Sequence, residues 1–246
     1  MSAPTDWYRD WFGITYLSLY PHRDEAEARA AVELFESAVH PEPGSRVLDL
    51  ACGAGRHVRQ LREAGHRPIG IDLSEALLRA AREYVGPSVA LIRGDMRRLP
   101  FREHGFDAIT SFFTSFGYFE TVEEDALVVS ELRRVLRRNG KFLFDYLNEA
   151  RVRATLVPTD ERRVPGRVIR QTRWLEDDVV VKRIEIDSND LSEPEVHFER
   201  VRLYSPRRLV ELLARHGLQV QERFGDYDGG AFSPDSPRLI LSGHAT

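Results

Sequence analysis

Residues 46–57, RVLDLACGAGRH, read as a buried apolar strand that runs straight into a glycine-rich turn and then a helix. This is the opening half of a βαβ unit, which fits a sheet whose faces are covered by helices. The chain sustains the alternation. Downstream, PIGID is a second strand, SVALIRGD a third, FDAITSFF a fourth and KFLFDYLN, after the Asn139-Gly140 turn, a fifth. Between them Ser74 is placed to cap SEALLRAAREYV, whose Leu77, Leu78, Ala81 and Val85 form one stripe. Thr121 with Glu124 three residues on forms a capping-box signal for a helix through Arg138. Ahead of the turn, residues 24–39 carry apolar positions at helical spacing and end at Pro41, Pro43 and Gly44, and Gly65 is a C-cap for the helix after the turn.

Right-handed crossovers put helices on both faces of such a sheet, so the predicted class is α/β, doubly wound and Rossmann-like. The pattern changes after Asn148. RVIRQTRWL, DVVVKRIEI and EVHFERVRLY alternate with period two, so residues 151–204 read as an inserted antiparallel β-lobe. The α/β pattern resumes with Ser205 capping PRRLVELLARHG, then LQVQERFG, a long loop and RLILSG. With no helix between them, those last two strands should pair antiparallel. The expected organisation is an N-terminal aromatic segment and helix (residues 1–40) that packs over the core as a lid or joins the acceptor wall, a core made of 41–150 and 205–246, and the inserted lobe.

Composition narrows the function. At 246 residues the chain supports one substantial core, and a single cysteine, Cys52, excludes an internal disulfide and disfavours a cysteine zinc site. A net charge of −4 argues against a nucleic-acid surface, and the arginine pairs read as solvated helix faces. No apolar run reaches the roughly eighteen residues of a membrane span, and MSAPTDWYRDWFG lacks the basic start and apolar run of a leader, so the expected location is cytoplasmic.

An open α/β sheet binds its ligand beyond the carboxyl ends of its strands. GAGRHV fits a dinucleotide fingerprint only in part, because Val58 fills the third glycine position. A pyrophosphate in that turn would also be repelled by Asp49 just ahead of it. A ligand bearing both an ammonium and a carboxylate reconciles the signals, with Asp49 near the cation and the helix start after Gly55 near the anion. Asp72, ending the second strand, can accept ribose hydroxyls, and Asp95, ending the third, an exocyclic amine of a base. Any one strand-end aspartate reads first as a turn or cap residue; three in succession match methionine, ribose and adenine. Cys52 reads as the small residue the turn needs, and His57 as a first-turn helix residue.

These residues resemble the class I S-adenosylmethionine-dependent methyltransferases. VLDLACGAGRH is similar to that family's first motif, GIDLSEALL to its ribose segment, GDMRRLPF to its adenine segment, FDAITSFFTSFGYF to its fourth motif, and ELRRVLRRNGKFLFD to its element before strand 5. The resemblance implies seven strands in the order 3-2-1-4-5-7-6 with strand 7 antiparallel, and S-adenosyl-L-methionine as cofactor. It places Asp49, Ala51, Gly53 and Gly55 at the methionine end. Asp72 and Leu73 go to the ribose and one adenine face, Asp95 and Met96 to the adenine edge, and Phe112, Phe113 and Thr114 by the sulfonium. Tyr20 and Arg23, an arginine three residues after a tyrosine, are candidates to clamp the methionine carboxylate.

For the acceptor, the candidate wall holds Tyr16, Tyr118, Tyr146 and Asn148, with no evident general base and no metal set. The implied activity is methyl transfer to a small-molecule nitrogen or oxygen by in-line displacement. The lobe and GDMR segment are similar to nucleotide-sugar N,N-dimethyltransferases, which makes an aminosugar an alternative acceptor. The fourth-motif region lacks the Asp/Asn-Pro-Pro-aromatic signature of DNA amino-methyltransferases, and Cys52 is in no Pro-Cys pair. A rival reading is a non-catalytic cofactor-binding module whose lobe serves a homodimer; the lobe as a lid over a small-molecule substrate is the preferred expectation, with neither nucleic acid nor membrane as partner.

Overall fold

The computed structural model describes residues 4–19, 25–188 and 193–246. Two short helices, α1 (Tyr8–Trp11) and α2 (Ile14–Leu19), precede α3 (Glu25–Val39). There follow β1 (Arg46–Leu50), α4 (Arg56–Glu63), β2 (Arg67–Asp72), α5 (Glu75–Val85), β3 (Ala90–Arg93), β4 (Phe106–Ser111), α6 (Val122–Val135) and β5 (Leu136–Leu147). The second half runs α7 (Glu149–Thr155), β6 (Thr159–Val164), β7 (Arg167–Glu176), β8 (Val179–Ser188), β9 (Glu195–Arg202), α8 (Pro206–Arg215), β10 (Leu218–Phe224) and β11 (Arg238–Ala245).

Seven strands form one sheet in the order β3-β2-β1-β4-β5-β11-β10, with β11 antiparallel to both neighbours. Counting only this sheet's strands, that is the order 3-2-1-4-5-7-6. Local chemistry fixes the helix starts. The Ser74 hydroxyl accepts from the Leu77 amide at 3.1 Å, and Ser205 from that of Arg208 at 3.3 Å. Thr121 and Glu124 complete a reciprocal capping box at the start of α6. That helix ends at Val135, three residues short of the predicted Arg138, because Leu136 turns to extended backbone and β5 begins at once.

Residues 151–204 contain a separate antiparallel sheet of four strands, β6-β7-β8-β9. The sequence reading finds three of them. The fourth, β6, is TDERRV, an edge strand almost without apolar residues, so the period-two signal is missing. The short helix α7 was also unread; Asn148 stands at its N-cap, and none of its residues is buried.

Two sets of contacts tie this second sheet down. At the end of β9, Arg202 donates to the buried Asp125 of α6 at 3.1 Å and to the carbonyls of Phe119 and Glu120 at 3.3 and 2.7 Å. The Tyr204 hydroxyl reaches the same carboxylate at 2.8 Å, and Tyr146 of β5 donates to the Arg202 carbonyl. At the N-terminal side, Trp11 donates to Glu199 at 2.8 Å and Arg162 to the Leu19 carbonyl at 2.8 Å. The N-terminal helices and the second sheet thus form one roof over the carboxyl edge of the first sheet. Among the described residues no helix is long and apolar enough to cross a membrane.

Candidate functional site

Strand register lays out the site. Leu50 pairs with Ile71 and Ser111, Ile71 with Ile92, and Ser111 with Phe144. The next residue of each strand therefore falls in one row along the carboxyl edge: Arg93, Asp72, Ala51, Phe112 and Asp145. Asp49 lies deeper, level with Gly70 and Thr110. It belongs to the sheet interior rather than to the edge where the sequence reading puts it.

A cavity of about 660 Å³ opens over this row, within the range of small-molecule sites. Of the sequence-predicted residues, Tyr16, Ala51, Gly53, Asp72, Leu73, Asp95, Met96, Phe112, Phe113 and Tyr118 line it. Asp49, Gly55, Thr114, Tyr146 and Asn148 are not among its lining residues. Tyr20 and Arg23 lie outside the described residues. Tyr146 is fully buried in the core, and the Asn148 amide donates to the carbonyls of Ser233, Pro234 and Ser236, pinning the loop between β10 and β11. Burial and loop anchoring, respectively, account for their absence from the cavity wall.

The glycine turn is tightly coiled. Ala51, Gly53 and Gly55 all have positive φ, at 54°, 53° and 85°. At Gly55 a Cβ would lie 3.0 Å from Val85 Cγ1 and 3.1 Å from Ala81 Cβ, so only glycine lets α4 begin against α5. Asp72 secures the turn from the neighbouring strand: Oδ2 accepts the Gly53 amide and Oδ1 the Ser74 amide, both at 2.8 Å. Burial raises its pKa, opposed by these amides.

Asp49 is 1% exposed; Oδ1 accepts from the Thr110 hydroxyl at 3.1 Å, and Oδ2 has no hydrogen-bond partner among the described residues. Burial is the main reason its pKa is pushed up to about 7; the Thr110 hydroxyl and Arg56 oppose the shift and Asp72 adds to it. The same burial, with Asp72 and Asp49 nearby, pushes the Cys52 thiol well above its usual range, which fits a packing role and no nucleophile. At the third strand, burial of Asp95 is outweighed by hydrogen bonds from the Arg97 side chain and amide, and its pKa falls. Arg97 also reaches Glu124 at 2.5 Å, joining the Asp95 turn to the cap of α6.

Beyond β4 the chain takes two consecutive left-handed residues, Phe113 (φ 63°) and Thr114 (φ 59°). For residues with a Cβ this costs on the order of 1–3 kcal/mol each, and it persists only where surroundings hold it. The Phe113 amide donates to Asp145 Oδ2 at 2.6 Å and the Thr114 amide to the Asp145 carbonyl at 3.3 Å. His57 stacks on Phe112 with centroids 4.3 Å apart.

The roof is built from the N-terminal aromatic segment, expected as a lid or wall, and from Glu199, which the sequence reading did not single out. Trp7, Tyr8 and Phe12 join Tyr118 and Phe119 in a web of ring contacts at 5.1 to 6.1 Å. Glu199 of β9 lines the cavity with Oε1 accepting from Trp11 and Oε2 from Lys182 at 2.7 Å. Nothing in an alternating strand tells which face meets a cavity, so Glu199 carried no sequence signal. Asp145 did carry one, as a lone charge inside the apolar run FLFDYL.

A wall with carboxylates at neighbouring strands, an unpartnered carboxylate oxygen behind it and a helix start beside it suits a zwitterionic nucleoside better than a diphosphate. Residues 47–140 match the family model for a methyltransferase domain. Putative methyltransferase YqeM of Bacillus subtilis (strain 168) is 37% identical over 107 residues, 43% of each chain. A dTDP-3-amino-3,4,6-trideoxy-alpha-D-glucopyranose N,N-dimethyltransferase of Streptomyces venezuelae is 36% identical over 115 residues, 47% of each. These matches span about half the length of the curated relatives. The CcbJ methyltransferase of Streptomyces caelestis shares the fold, with TM-score 0.81 at 19% identity over 97% of this chain and 99% of that one.

Proposed function

We propose, for a chain whose residues 47–140 match a methyltransferase-domain model, that the protein moves a methyl group from S-adenosyl-L-methionine to a nitrogen or oxygen of a small molecule. The observation that carries this reading is the single cavity in which the turn after β1, Asp72, Asp95 and Phe112–Phe113 meet under an aromatic roof. In this reading Asp72 accepts the ribose hydroxyls on the carboxylate lone pairs left over from Gly53 and Ser74. Asp95 and Met96 take the adenine edge. Asp49, in its ionised form, offsets the methionine ammonium from behind the wall, while the start of α4 faces the carboxylate. Bound there, the cofactor supplies an electrophilic methyl on sulfur.

The chain's own part is alignment and exclusion of water. Displacement at a sulfonium spreads charge rather than creating it, so positioning supplies much of the rate. The roof residues Trp7, Phe12 and Tyr118 close the cavity over the reacting centre, and the Tyr118 hydroxyl is itself oriented by the Thr114 carbonyl at 2.5 Å. Glu199 puts a carboxylate, already bonded to Trp11 and Lys182, on the wall of the acceptor side.

Within small molecules, a nucleotide-linked aminosugar is the second reading. It is supported by the dimethyltransferase relative and by Glu199 among aromatic rings, a combination suited to an amine. That Glu199 and Val201 of the inserted sheet line the cavity favours a lid over a module used solely for dimerisation. The test is release of S-adenosylhomocysteine by the purified protein against amines, phenols, carboxylates and a dTDP-aminosugar. Turnover with any of them supports methyl transfer, and the class that turns over selects the acceptor. Tight cofactor binding with no turnover across the whole set returns the non-catalytic module to the front.

A further inference from the structure

Asp145 of β5 stands in the same edge row as Asp72 and Phe112, yet it is not among the residues that line the cavity and instead bonds the loop after β4. It is 0% exposed, and each carboxylate oxygen is filled. Oδ1 accepts Arg238 Nε at 2.5 Å. Oδ2 accepts the Phe113 amide at 2.6 Å, the Tyr227 hydroxyl at 2.5 Å and an Arg238 terminal nitrogen at 2.7 Å. Arg238 also approaches the Thr114 hydroxyl at 3.5 Å and holds its guanidinium 4.9 Å from the Phe113 ring and 5.3 Å from the Tyr227 ring. On the cavity side, Arg56 at the start of α4 lies 5.6 Å from the same Phe113 ring.

These contacts converge on two adjacent residues whose backbone would not choose its conformation unaided. Four elements meet there: β5 through Asp145, β11 through Arg238, the β10–β11 loop through Tyr227, and the loop after β4. We propose that Asp145, with Arg238 and Tyr227, is a positioning group that holds Phe113–Thr114 left-handed and thereby sets the cavity wall beside the transferring methyl. None of the three residues lines the cavity, so they act through Phe113 and not by touching ligand. Residues 225–237, remote in sequence from every ligand-binding turn, thereby help determine cofactor geometry. The inference rests on the reading of the cavity as a methyl-donor site, and the experiment below separates the two.

Tyr227→Phe removes one donor to Asp145 and keeps the ring under Arg238, so it is the variant expected to fold; Asp145→Asn is the stronger perturbation. Ser205→Ala, which weakens the cap of α8 away from the cavity, serves as a control for a merely structural loss. Two readouts are taken: hydrogen exchange of the Phe113 and Thr114 amides, and calorimetric affinity for S-adenosylmethionine and S-adenosylhomocysteine. The expected result for Tyr227→Phe is amide exchange faster by about tenfold and S-adenosylmethionine binding weaker by about fivefold, with both unchanged in Ser205→Ala. Unchanged exchange and affinity in Tyr227→Phe and Asp145→Asn, or equal losses in the control, would overturn the proposal. If the parent protein binds neither ligand, the methyl-donor reading fails by itself, and the amide exchange alone decides whether the clamp exists.

Discussion

Asp72 is placed to do two jobs at once, and a substitution touches both. Its oxygens hold the Gly53 and Ser74 amides, so Asp72→Ala frees the turn as well as the proposed ribose contact. Asp72→Asn keeps the volume but sets an amide NH2 against one of those two backbone N–H groups. It should weaken S-adenosylmethionine binding by on the order of 1.5–3 kcal/mol, read by calorimetry, and lower the thermal midpoint as well; normal affinity would remove the ribose assignment. Asp49 makes a pH-dependent statement. Its folded pKa of about 7 lies above the ordinary carboxylate value of 3.8, so folding takes up a proton between those limits. The stability linked to the protonated carboxyl is present below about pH 4 and is lost as pH rises through about 7. Asp49→Asn should therefore gain thermal midpoint relative to the parent between about pH 5 and 8. Parallel curves would contradict the buried, under-bonded carboxylate.

Helix caps and the fastening of the second sheet act at the level of elements. Thr121→Ala removes half of the capping box of α6 and should cost about 1 kcal/mol, or a fall of roughly 2–4 °C in a thermal scan. The contact between Arg202 and Asp125 is a different matter, because both are buried and the Asp125 carboxyl, raised by burial to about 6, also serves Tyr204. Arg202→Ala strands that carboxyl and leaves the Phe119 and Glu120 carbonyls without a donor they now have. A loss of about 3–5 kcal/mol in urea unfolding is expected; a loss under about 1 kcal/mol would mean that β9 is fastened by other means. Elements were legible in the sequence to the degree that they carry a local signal. Ser74, Thr121 and Ser205 announced their helices by capping chemistry, and the hairpin of β10 and β11 by the missing helix between them. β6 escaped because an edge strand made of TDERRV buries little and so shows no alternation.

Across the whole molecule, the sheet order follows from crossovers and one hairpin, both of which are written locally, and so the core fold could be read from one chain. The cavity wall was legible where a turn forms it: Gly53, Asp72 and Asp95 are punctuated by glycine and end apolar runs. It was not legible where distant segments meet. Glu199 reaches the cavity only because the second sheet leans on Trp11, and Asp145 matters only because Tyr227 and Arg238 arrive from the far end of the chain. Tyr146 and Asn148 follow Asp145 in sequence and yet serve the core and a loop, since alternation along β5 says nothing of what lies beyond its end.

The proposed occupant of the crevice over β1, β2 and β3 is a sulfonium-bearing nucleoside. Titration calorimetry of the unmodified protein with S-adenosylmethionine, and separately with NAD, tests this most directly. Saturable binding of the former at one site per chain, with no heat from the latter, is the expected result; saturable NAD binding without S-adenosylmethionine binding would contradict it.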